Sequence, residues 1–245
     1  MLADRSNPMT VILMHALAAY AVVLAPLLGV VWYREAKRRV ESGDPQAKVK
    51  LYRQIVIEQG VSTAAALAWW RLAGVPGPLI GLGAPRSWIW NTVALVALSG
   101  WLLWQAARLR PKAEKIRAKF KDSLGAMMPD TPLDRSWFGV VSIGAGISEE
   151  LVFRGFLIYY LGVVLPHTNL AERVLLTSLS FGLGHIYQGR VRAVSAGIVG
   201  LFLACFYVAS GSLLLPMVLH AVADYRLLLI LPPAAPQPAS AEAGA

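Results

Sequence analysis

The sequence has one cysteine, Cys205, which excludes an internal disulfide and any metal site built from several thiolates. Cys205 lies in an apolar run, where it reads as a small packing residue. Charge is also scarce. Only 15% of the 245 residues are Asp, Glu, Lys or Arg, against about 25% in soluble domains. No alternating strand pattern and no internal repeat is present. The first apolar run has no convincing small-residue cleavage site after it, so it reads as a span and not as a signal peptide. No serine or cysteine stands in a recognisable nucleophile arrangement with a histidine.

What is abundant is apolar surface: 56% of the residues are hydrophobic. About 20 such residues cross the ~30 Å hydrocarbon core as a helix. The runs predict an all-α, polytopic membrane helical bundle of about seven transmembrane helices, near 10–33, 55–73, 88–107, 137–165, 170–187, 193–209 and 213–231. The net charge of +9 would suggest nucleic acid in a soluble protein. Here the basic residues cluster between apolar runs and set topology instead. Two spans separate the basic stretch at 34–53 from that at 108–121, so both fall on one side. The positive-inside rule makes that side cytoplasmic and the N-terminus extracytoplasmic, in a multi-pass protein of the cytoplasmic membrane. Trp69 and Trp70 read as interfacial aromatics. Ile116, Phe120, Leu124 and Met127 recur at helical spacing and suggest an amphipathic helix on the inner leaflet, with a solvated basic connector as the plainer alternative. Glu58 reads as a carboxylate near the cytoplasmic interface. His15 and His167 carry no assigned role. The chain divides into an N-terminal three-span region (1–134), a helical core (135–231) and a Pro/Ala-rich tail (232–245) expected to be disordered.

The core holds polar groups that are costly at membrane depth. Ser148-Glu149-Glu150-Leu151-Val152-Phe153-Arg154 places three ionisable groups inside an apolar span. Glu150 and Arg154 are i,i+4 neighbours that can pair and brace the helix. Glu149 is left without a local partner. Later spans supply His185, after Phe181-Gly182-Leu183-Gly184, and then His220 and Asp224 on one helix face. Gly182 and Gly184 remove bulk beside His185, and Phe181 reads as a packing residue. Ser148 is expected to bond backwards along its own helix. A carboxylate with two histidines suits activation of water, with Glu149 as general base. The histidines could hold a metal, or could orient the water and stabilise the oxyanion.

In their order, Glu149-Glu150-x-x-x-Arg154, Phe181-x-x-x-His185 and His220-x-x-x-Asp224 resemble the motifs of the CPBP (Abi, CAAX-protease) family of intramembrane proteases. The resemblance covers about 135–230. It implies hydrolysis of a peptide bond in a membrane protein or peptide substrate. Glu149, His185 and His220 would be catalytic, supported by Glu150, Arg154 and Asp224. It also implies a possible Zn2+ held by Glu149, His185, His220 and Asp224, beside a metal-free alternative. Asp224 departs from the Asn typical of type 2 CAAX proteases; an ionised Asp cannot donate to an oxyanion, and this favours the metal version. The expected partners are the substrate and the lipid bilayer, with no nucleic acid. Two other readings stand beside hydrolysis: a non-catalytic membrane scaffold or bacteriocin-immunity-type protein on the same fold, and a proton-coupled transporter.

Overall fold

The computed structural model describes residues 7–233, which are helical with no strand among them. The predicted disordered tail lies, but for its first two residues, outside the described range. The chain runs as α1 (Pro8–Ala19), α2 (Ala25–Glu41), α3 (Ala47–Ala73), α4 (Trp88–Leu109), α5 (Ala113–Leu124), α6 (Pro132–Glu150), α7 (Ile158–Val164), α8 (Leu170–Gly184), α9 (Arg190–Ser210) and α10 (Leu214–Ile230). Two π-helical turns, Tyr20–Leu24 and Leu151–Leu157, join α1 to α2 and α6 to α7 without a break in the rod.

The helix ends follow from local chemistry. Thr131 with Asp134, and Asn169 with Glu172, form reciprocal capping boxes that start α6 and α8. Ser87 caps α4 through the Trp90 amide. Gly211 ends α9 in the left-handed region at φ 71°, a conformation that costs glycine nothing.

All seven predicted spans are helices in the expected places. By length and composition three stretches can cross a membrane: Pro8–Glu41, Trp88–Met127 and Arg190–Ser210. The all-α architecture is therefore found, and three of its stretches have the dimensions of a span. The remaining helices are shorter or more polar. At ~1.5 Å per residue, α8 is about 22 Å long. α6, α8 and α10 also carry polar groups inside the bundle, including Ser142, Glu150, Thr177, Ser178 and His220, all buried.

Three local expectations change. Trp69 is not interfacial: it is 1% exposed and packs edge-on against Phe156 at 4.8 Å in the main core. Ile116, Phe120 and Leu124 do lie on one face of α5, but that face packs on Ala106, Met128, Ile230 and Leu231, so it covers protein and not the leaflet. Cys205 is exposed on α9 and does not pack inside.

The two basic connectors meet at one end of the bundle. Lys48 and Arg117 both bind Asp130, Lys37 donates to Asp122 O, and the Tyr33 hydroxyl donates to Ser123 O. At the same end Arg135 of α6 donates to Leu228 O and Leu231 O, closing the C-terminus of α10. Farther along, α6 and α10 touch at Gly146, where a Cβ would stand 2.5 Å from Met217 O and 2.9 Å from the Ala221 Cβ. That approach places Glu149 and Glu150 beside His220.

Candidate active site

α6 brings Glu149 and Glu150 to the same level as His220 on α10, and the π turn that follows carries Arg154. Glu150 is fully buried and Arg154 is 1% exposed. Arg154 Nη1 donates to Glu150 Oε1 at 2.8 Å, which is the predicted i,i+4 pair. Arg154 Nη2 donates to Gly200 O of α9 at 3.0 Å, and its guanidinium lies over the Phe181 ring at 4.4 Å. Phe181 does pack, and its neighbours are the site itself: His185 at 4.7 Å and His220 at 5.9 Å between ring centroids.

Glu150 does more than neutralise Arg154. Its Oε1 also lies 2.7 Å from His220 Nδ1. A carboxylate only accepts, so Nδ1 carries the proton; in the neutral form of the ring Nε2 is an acceptor. His185 is fixed in the same sense, since its Nδ1 lies 2.9 Å from Phe181 O. His220 Nε2 faces Glu149 Oε2 at 3.9 Å and Asp224 Oδ2 at 3.7 Å. Glu149 Oε2 is buried and receives no hydrogen bond. The Asp224 side chain is 45% exposed and sits at the mouth of the site. Glu149, Glu150, Arg154, His185, His220 and Asp224 are thus brought together from α6, its π turn, α8 and α10.

Residues 132–226 match the model of a family described as Type II CAAX prenyl endopeptidase Rce1-like. This stretch is similar to an Rce1-like domain. It opens at the first residue of α6 and ends within α10, so it contains each of the six residues above, while α1–α5 lie outside it. No curated protein and no solved structure matches the chain.

Within the matched stretch the implied Zn2+ can be tested against the donors. Among the described residues, no three His, Cys, Asp or Glu side chains form a set that could hold a metal ion. His220 Nε2 stands 3.9 Å from Glu149 Oε2 and 3.7 Å from Asp224 Oδ2, while His185 Nδ1 is held on Phe181 O. This arrangement gathers no such set, and no step below runs through an ion.

The glycines beside His185 divide. Gly182 admits α9, for a Cβ there would meet Ala193 O at 2.7 Å, whereas Gly184 has nothing within 4 Å. Gly200 is tighter in its consequences. A Cβ at Gly200 would lie 3.0 Å from the Phe181 ring and 3.1 Å from Arg154 Nη2. Gly200→Val is expected to destabilise the fold by about 1–3 kcal/mol through overpacking. Thermal unfolding in detergent measures this, and an unchanged melting temperature would show that the contact has slack.

Sequence reasoning missed three polar residues of the bundle. Glu58 of α3 is half-buried, and the Tyr187 ring just after α8 lies 6.3 Å from the His185 ring. Tyr20 donates its hydroxyl to Glu58 at 2.6 Å. None lies in a motif, and the only signal was a carboxylate in an apolar run. His15, given no role, lies 3.0 Å from the Tyr160 hydroxyl and ties α1 to α7. An apolar groove of about 310 Å³ opens along the α6–α10 pair, lined by residues that include Ile147, Met217, Ala221 and Tyr225.

Proposed function

We propose that the protein is an intramembrane endopeptidase that hydrolyses a peptide bond with water activated by Glu149. One observation carries this reading: Glu149 Oε2, which receives no hydrogen bond, and His220 Nε2 face each other at 3.9 Å. That separation is too long for a direct bond. With the imidazole neutral both groups accept, and water placed about 2.8 Å from each satisfies them. Glu150 supports the arrangement by fixing the tautomer of His220, and Arg154 holds Glu150.

In the reaction Glu149 takes one proton from this water as its oxygen bonds to the scissile carbonyl carbon. The tetrahedral intermediate collapses, the C–N bond breaks, and Glu149 returns the proton to the leaving nitrogen. His185 presents an acceptor nitrogen, suited to orienting the scissile N–H. Asp224 lies at the exposed mouth, where it meets the substrate. The domain match supports a substrate of the CAAX type, and the apolar groove beside α6 and α10 suits a peptide bearing a prenyl or similar chain. The shared end of the two basic connectors fits the cytoplasmic side.

The test is cleavage of a prenylated CAAX peptide by the protein reconstituted in liposomes, with the unprenylated peptide as control. Turnover is expected to stay within about twofold of the untreated rate in the presence of a zinc chelator. Loss of turnover that added zinc restores would replace this mechanism with a metal-assisted one.

A further inference from the structure

His185 has little support from its own helix. It follows Gly184 at the C-terminal end of α8, where the backbone leaves the helix at φ −98° and ψ 9°. Gly184 beside it has nothing within 4 Å of where a Cβ would stand. One hydrogen bond, from Nδ1 to Phe181 O, fixes one atom and leaves the ring free to swing about it. Two aromatic rings limit that swing. Phe181 stands 4.7 Å from the imidazole, and Tyr187 stands 6.3 Å from it with the ring planes 22° apart. Both distances lie in the range of interacting ring pairs.

Tyr187 is itself held from α2, which lies outside the residues 132–226 that match the family model. α2 packs against the turn Ile186–Gln188 that carries it. The Tyr33 ring of α2 stands 5.4 Å from the Tyr187 ring, and Gln188 Nε2 donates to the Tyr187 hydroxyl at 2.8 Å. At Gly29 of α2 a Cβ would lie 3.3 Å from Tyr187 Cδ1 and 3.6 Å from Cε1. Filling of space alone does not account for this. Glycine inside a helix is less favourable than alanine, yet α2 has glycine at the point where a methyl group would press on this ring. We infer that Tyr187 is a positioning residue for the hydrolysis proposed above: lodged against Gly29 and Tyr33, it holds the His185 imidazole in the orientation that presents Nε2 to the substrate. The effect on turnover rests on that reaction; the hold on His185 stands apart from it.

Tyr187→Ala removes the ring. kcat is expected to fall about tenfold with KM little changed, because a misdirected catalytic group slows the chemical step more than binding. Tyr187→Phe keeps the ring and should recover most of that loss. Gly29→Ala tests the same contact from a helix that holds none of the site residues. Alanine favours the helix, so the melting temperature should hold, while the displaced ring is expected to lower kcat about threefold. Carbethoxylation of His185 by diethyl pyrocarbonate, read by mass spectrometry, reports its surroundings without any turnover. Its rate is expected to rise at least about threefold in Y187A, since loss of the neighbouring ring opens the neutral imidazole to the reagent. Wild-type kcat together with a wild-type labelling rate in Y187A would overturn the inference. So would a loss in Y187F as deep as that in Y187A, which would place the role in the hydroxyl. A raised labelling rate with unchanged kcat would instead uphold the hold on His185 and refute its part in the reaction.

Discussion

Glu149→Gln is expected to lower peptide cleavage by about 10³-fold or more, the upper range for loss of a general base, while the fold and its melting temperature are retained. The reasoning is local. Glu149 makes no structural bond through Oε2, and its side chain is 28% exposed, so an amide of the same shape fits. What the amide cannot do is take a proton. It would also present an N–H₂ group to His220 Nε2, able to donate a hydrogen bond across the gap assigned to water. The measurement is the rate in liposomes beside circular dichroism and thermal unfolding in detergent. Cleavage at the wild-type rate would defeat the mechanism. Loss of cleavage accompanied by Glu149-dependent proton flux would point to the transporter reading, and a cellular role that survives the substitution would point to the scaffold.

Arg154→Met carries the largest expected effect on stability. It leaves Glu150 buried at 0% exposure with His220 as its only remaining partner, and it removes the bond to Gly200 O that ties the π turn to α9. Breaking one side of a buried pair costs about 3–5 kcal/mol. The expected result is a large drop in melting temperature and the loss of cleavage. The double variant Glu150→Gln with Arg154→Met removes the stranded charge and should recover much of the stability. Equal melting of R154M and wild type would mean the pair contributes nothing to the fold.

The sequence was most informative where the physics is local. Apolar runs of spanning length announced the helices, and the i,i+4 spacing announced the Glu150–Arg154 pair. What it concealed depends on partners far along the chain. The bond that sets the His220 tautomer joins positions 70 residues apart, and Tyr20 and Glu58 are 38 apart. Helical periodicity shows that a residue lies on a face, but not what that face meets. For that reason the stripe on α5 read as lipid-facing while it covers α10, and Trp69 read as interfacial while it fills the core. Glu58 shows the same limit: an isolated carboxylate in an apolar run gives no sign of whether it looks toward solvent or, as here, toward the Tyr20 hydroxyl.

The close approach at Gly146 has a consequence for how the site is held. With no side chain there to act as a spacer, and with Arg135 fastening the far end, α6 and α10 form a closely packed pair. The separation of Glu149 and His220 is set by that pair, and any side chain larger than hydrogen at position 146 would push the two helices apart.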